Sequence, residues 1–165
     1  MTLIYLLPLV LCGEEVPCVP SFVYLGSLVS SDTRIFAEID RRLASAVRAF
    51  GAIRGALDTP GLSLRTKKML YTACVLSVLL FGSECWTLLR QDEARINIFH
   101  HQCLRIILGV SRKDQQNLSI SNVDLHRRYG DPEPLSSTIC CRRQEWLGHL
   151  ARMEDSRQPK QLLFG

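Results

Sequence analysis

The sequence predicts a mainly α protein: a short N-terminal β-hairpin, then a three-helix bundle, then a helical C-terminal extension. Three observations carry this. β-forming residues gather in short runs up to residue 29, and from Asp32 onward the apolar positions recur every three or four residues. Glycine and proline punctuate the helical part at 55–61, 82, 109 and 130–134. Hydrophobic residues are 47% of the 165 and charged residues 22%, which suffices for one compact domain or two small ones and argues against disorder.

Residues 9–12 and 16–19 read as short strands around a turn at Gly13-Glu14-Glu15, with Pro17 and Pro20 confining the second run to an edge. Residues 22–29 carry β-formers with a bend at Gly26, a hairpin and not a sheet that stands alone. A helix capped by Ser31 or Asp32 then places Ile35, Ile39, Leu43, Ala46, Val47, Phe50 and Ile53 at helical intervals, until Gly55 and Asp58-Thr59-Pro60-Gly61 end it. Ser63 caps a second helix, whose stretch 70–81 is apolar on nearly all sides, as expected of the central member of a bundle, and Gly82 stops it. The third helix starts at Asp92, aligns Ile96, Phe99, Cys103, Leu104 and Ile107, and reaches Gly109 in the place of a C-cap glycine. Three helices with short connections make a bundle. Past Val110 the chain turns polar over 111–117, a short helix follows over 121–129, and residues 130–134 break it. A last helix over 137–153 aligns Ile139, Arg143, Trp146, Leu150 and Met153, so one basic residue sits in an otherwise apolar stripe.

A net charge of +4 permits a polyanionic partner without demanding one. The seven cysteines are odd in number and irregularly spaced, and Cys74, Cys85 and Cys103 sit among apolar residues, where a reduced thiol behaves as a small hydrophobe. That pattern fits a reducing intracellular setting, nucleus or cytoplasm. The apolar opening, residues 1–13, lacks a basic leader and a small-x-small cleavage site, is interrupted by Pro8, and is too short to span a bilayer. A buried strand is the expectation there. Should it act as a signal peptide, the chain is secreted or membrane-associated and Asn117-Leu118-Ser119 becomes a glycosylation acceptor.

Arg34, Arg41 and Arg48 are one heptad apart, which on a helix makes a stripe of charges about 10 Å apart that can follow a phosphate backbone. The plainer account is a solvated face on which Glu38 and Arg42 pair at i,i+4. Arg142, Arg143 and Arg152 surround Trp146, a combination that suits backbone contact plus base stacking; the plainer account buries Trp146 and turns the arginines to water. His100 and Cys103, one turn apart, have the spacing of two zinc ligands, yet no C-x2-C pair completes a site, so a buried cysteine beside an exposed histidine is expected and no metal. Phosphate-binding, dinucleotide, metalloprotease and serine-hydrolase motifs are missing, and there is no Asp-Asp pair to hold the two metal ions of a polymerase.

Several blocks fall in order along residues 19–165. They are Phe22-Val23-Tyr24-Leu25-Gly26-Ser27; Glu38 to Leu43 with Ala46; Ser63, Lys67, Leu70 and Tyr71 with the run 75–88; the run 99–109; and 146–153. Together they resemble the C-terminal part of the reverse transcriptase of non-LTR (LINE-type) retrotransposons, in which an F-x-Y-L-G-S hairpin, the primer grip, closes the palm and a helical thumb follows. The resemblance implies a palm remnant over 1–30, a thumb-like three-helix bundle over 31–110 and a C-terminal helical extension over 111–165. It implies catalytic aspartates upstream of Met1, and hence template-primer (RNA/DNA) binding without chemistry of its own. Phe22, Tyr24, Leu25 and Gly26 would shape the grip, and Arg34, Arg41 and Arg48 would touch phosphates. Nucleic acid is then the expected partner, with no membrane, no small-molecule substrate and no cofactor. Two rival expectations are a part of a longer active RNA-directed DNA polymerase, and an inert helical product of a degenerate element. Glu145 stands where relatives carry a basic residue before the tryptophan, and Cys140-Cys141 replaces a charged stretch.

Overall fold

The structure, a computed structural model, describes residues 10–32 and 34–164. The expectation of a strand or signal peptide at the apolar start falls largely on residues 1–9, outside the described residues. The chain is mainly α behind a short N-terminal β segment, as the sequence predicts, and it divides into two compact units at Arg34–Ile35.

The first unit holds two antiparallel hairpins. β1 (Val10–Leu11) pairs with β2 (Glu14–Glu15), and β3 (Ser21–Tyr24) pairs with β4 (Ser27–Ser30). Both turns have two residues, and both residues of each have positive φ: Cys12 at 53° and Gly13 at 85°, Leu25 at 47° and Gly26 at 83°. That is the type I′ geometry whose twist matches paired strands. It also corrects the first turn. Cys12-Gly13 reverses the chain, so Glu14 and Glu15 are strand, and Pro17, lacking an N–H, takes no part in a ladder. In the second hairpin Phe22 faces Val29, Val23 faces Leu28 and Tyr24 faces Ser27. The Ser31 N–H donates to Pro20 O at 2.9 Å, adding one rung beyond the strand ends.

The second unit begins at Ile35. Its first helix, α1 (Phe36–Leu57), starts later than the sequence suggests, because the Asp32 carboxylate takes the Ser30 hydroxyl at 2.7 Å and the Arg34 N–H at 2.9 Å. These bonds close a local turn, and Ile35 opens the helix without a side-chain cap. The next helix is capped as expected, Ser63 Oγ accepting the Thr66 N–H, and runs as α2 (Leu64–Tyr71), a π-helical turn (Thr72–Leu76) and α3 (Ser77–Leu79). It is not apolar-packed all round. Tyr71, Val75 and Leu79 are buried one turn apart, whereas Met69 and Phe81 are exposed. Gly82, at φ 74°, leads into a 3-10 turn (Ser83–Cys85).

α4 (Arg90–Ile107) is held at its start by Asp92, whose Oδ2 accepts the Leu89 N–H at 3.1 Å. At its end Gly109 N–H donates to Ile106 O and Val110 N–H to Arg105 O, the paired bonds of a Schellman motif around a left-handed glycine. α5 (Arg112–Asn117) and α6 (Asn122–Tyr129) each open on a capping box, Ser111 with Asp114 and Ser121 with Asp124. α7 (Leu135–Arg152) and α8 (Gln158–Phe164) complete the chain.

α1 packs on the α2–α3 rod and on α4, giving the three-helix bundle, while α6 and α7 pack on α4. One core runs through all of them: Ile39, Ala46, Phe50 and Leu57 from α1, Tyr71, Val75 and Leu79 from the rod, Ile96, Phe99, Leu104 and Ile107 from α4, and Tyr129, Leu135 and Ile139 beyond it. Among the described residues no helix is long and apolar enough to cross a membrane.

Candidate nucleic-acid interface

In the first unit the expected grip residues form an exposed apolar hairpin. Phe22 and Tyr24 lie two apart on one face of β3, their rings edge to face with centroids 6.4 Å apart, and both are more than half exposed. Leu25 at the tip is 80% exposed and holds φ 47°. The left-handed region disfavours a non-glycine side chain by roughly 1–2 kcal/mol, and leucine has no polar group to hydrogen-bond locally as asparagine does. Gly26 takes the second positive-φ place without that penalty. Arg34 also belongs to this unit and is exposed. It precedes α1, so the three-arginine helical stripe is reduced to Arg41 and Arg48.

Those two differ. Glu38, in the first turn of α1 and 2% exposed, binds Arg41 through Nε at 2.9 Å and Nη2 at 3.1 Å, and Arg42 through Nε at 2.6 Å. The Glu38–Arg42 pair is therefore buried and not part of a solvated face, with the Arg42 guanidinium 4.5 Å over the Phe81 ring. Arg41 is turned toward that carboxylate and one-third exposed. Arg48 is exposed and donates to Ser45 Oγ. Across the bundle Arg95 joins the Asp40 carboxylate and stacks 4.3 Å over Phe36.

On α7 the plainer expectation holds only in part. Arg142 donates to Leu80 O at 2.6 Å and Arg143 to Trp86 O, so both guanidiniums reach the carbonyls of the segment linking α3 to α4. Those carbonyls follow helix ends, where a cation is favoured; Leu80 O also accepts the Ser83 N–H at 3.2 Å. Trp86, not Trp146, is the buried indole; Trp146 is 37% exposed. Arg152, one turn beyond Gly148, is exposed. Of the basic residues around Trp146, Arg143 and Arg152 are exposed and Arg142 is half-buried.

The tertiary structure also assembles basic residues that the sequence reading did not single out. Lys68 of α2 lies 4.7 Å over the Tyr129 ring of α6, beside Gly130, and exposed Arg127 and Arg128 precede that tyrosine. Arg127 is in loose contact with Asp124 at 3.4 Å. Only the run His126-Arg127-Arg128 in a last helical turn could have flagged this end of α6.

His100 is a further correction: it is 3% exposed, not at the surface. Its Nδ1 is 2.8 Å from the Tyr71 hydroxyl, and its ring stacks on Tyr71. Burial, helped by His126 and His101, pulls its pKa down from 6.5 to about 4, and burial pushes the Cys103 thiol up to about 12. Among the described residues no three His, Cys, Asp or Glu side chains are grouped to hold a metal ion. All seven cysteines are free thiols; Cys103 is buried and Cys74 half-buried, but Cys85 is exposed, contrary to its apolar sequence neighbourhood.

The chain is 29% identical over 142 residues, 84% of its length, to an uncharacterized transposon-derived protein of Caenorhabditis elegans. It spans about half, 49%, of that relative. No protein-family profile matches the chain, and no solved structure matches it.

Proposed function

We propose that the chain is the primer-grip, thumb and C-terminal part of a LINE-type retrotransposon reverse transcriptase, and that it binds an RNA/DNA template-primer without catalysing synthesis. The ordered sequence blocks and the likeness to a transposon-derived protein support a retroelement origin. The observation that carries the binding role is the β3–β4 hairpin. It holds Phe22, Tyr24 and a left-handed Leu25 in water, an arrangement that costs free energy and is the kind of strain found where a surface receives a ligand. In this reading residues 1–30 are the palm remnant, 31–110 the thumb and 111–165 the extension. Phosphates are met by the exposed Arg48, Arg152, Arg127 and Arg128 more than by Arg142 and Arg143, which donate to backbone carbonyls. The free thiols suit a reducing compartment, nucleus or cytoplasm.

The test is a titration of the purified chain with an RNA–DNA hybrid at several salt concentrations. Affinity should fall with rising salt, and replacing Arg127 and Arg128 by Gln should lower the log–log slope by roughly one unit per lost phosphate contact. Phe22→Ala with Tyr24→Ala should weaken binding while leaving the slope intact. A flat salt response, or no binding at low salt, overturns the proposal.

A second reading, a part of a longer active polymerase, is favoured by the chain's spanning 49% of its relative. Sequencing the transcript upstream of Met1 decides it: an in-frame x-A-D-D or Y-x-D-D box supports the active enzyme, and its absence from the full transcript refutes it.

A further inference from the structure

We infer that His100, His101 and His126 form a clasp that holds α6 against α4 while His100 and His101 are neutral and releases it when these two take up protons. The geometry is specific. His101 Nε2 and His126 Nε2 are 2.9 Å apart, so one ring donates its Nε2–H to the lone pair of the other, which requires at least one neutral imidazole. Protonating both leaves two N–H groups and two positive charges pointing at each other. His100 stands edge-on to His126, with centroids 5.9 Å apart, and 6.2 Å from His101. Its Nε2 is buried without a hydrogen-bond partner, so a full charge there has no acceptor.

The surroundings offer the protonated state no relief. From α2 the rings meet the Tyr71 hydroxyl, with Lys68 beyond it over Tyr129. On α4, burial and His126 lower the pKa of His101, and Arg105, whose guanidinium is held by Gln115, adds a positive charge in the same direction. On its exposed side α6 carries Asp124 with Arg127, then Arg128. Among the described residues no carboxylate forms an ion pair with any of the three imidazoles.

The sign follows from linkage. The pKa of His100 is about 4 here and near 6.5 when the ring is solvated, so the open state binds more protons and closure weakens as pH falls from 6.5 toward 4. At pH 5 His100 alone shifts the opening equilibrium about twenty-fold relative to neutral pH. Opening exposes Leu125 and Tyr129, the buried residues of α6.

Amide hydrogen exchange on the whole chain from pH 7.5 to 5, corrected for intrinsic rates, tests this. Protection of residues 122–129 should drop at least ten-fold by pH 5 while that of α1 does not, and His126→Gln should flatten the drop. Equal pH dependence in α6 and α1 overturns the clasp. If the variant does not fold, histidine ring-proton NMR titration of the wild-type chain decides: a resonance that stays neutral well below pH 6 upholds it, and three ordinary pKa values overturn it.

Discussion

Replacing Glu38 with Gln removes the one carboxylate that two arginines share in α1. Arg42 is 7% exposed and meets Glu38 Oε1 at 2.6 Å, so the substitution leaves a buried guanidinium facing a neutral amide. Breaking a buried pair from one side costs about 3–5 kcal/mol, whereas the one-third-exposed Arg41 arm contributes about 1 kcal/mol or less. Stacking of Arg42 on Phe81 keeps part of the charge stabilised, which places the expected loss near the lower figure, about 3 kcal/mol. For a unit of this size that is a fall in Tm of roughly 10 °C. Urea and thermal unfolding followed by circular dichroism measure both. The double variant Glu38→Leu, Arg42→Met removes both charges and keeps similar volume, so it should lie within about 1 kcal/mol of wild type. A single variant as stable as wild type, or a double variant as weak as the single, refutes the assignment of Glu38 to a buried, mutually dependent pair.

Two further outcomes follow from local geometry. Leu25→Asn should stabilise the β3–β4 hairpin by about 1 kcal/mol, because asparagine tolerates the left-handed conformation, yet weaken binding to an RNA–DNA hybrid by removing the exposed leucine; hairpin NMR shifts and the titration above read the two effects separately. In thiol labelling with an excess of reagent at pH 8, Cys12, Cys18, Cys140 and Cys141 should react first, Cys85 more slowly because partial burial and Glu84 raise its pKa, and buried Cys103 last. Cys103 modified in the first phase would contradict the packing of α4.

The helices were legible wherever sequence supplies both a period and a cap. Ser63, Ser121 and Gly109 mark their ends in the sequence and in the structure alike, and the α4 core positions follow from spacing alone, as do those of α1 except Val47, which the structure leaves exposed. α5 was missed although Ser111 and Asp114 spell a capping box, because its polar residues show no apolar period and none of them is buried. The start of α1 was misplaced because Asp32 has two uses, helix cap or local turn, and the choice depends on backbone beyond it. The histidine cluster was not legible at all. His100 and His126 are 26 positions apart in sequence, and only the packing of α6 on α4 brings them together.

The fate of the arginines shows why a charge pattern alone misjudges a binding surface. Arg41, Arg42, Arg95, Arg105, Arg142 and Arg143 each spend their guanidinium on a partner within the fold: a carboxylate, a glutamine or a backbone carbonyl. The carbonyls of residues 80 and 86 follow helix ends, where a cation is worth most, and α7 lies near enough to supply two. The heptad rule found Arg34, Arg41 and Arg48 by spacing, but spacing does not weigh a buried Glu38 between them. Cations turned to water lie on the outer face of α6 and at the end of α7, and at Arg48 on α1. If this chain grips a polyanion, loss of Arg127 and Arg128 must therefore reduce the salt slope more than loss of Arg142 and Arg143, which should lower stability first.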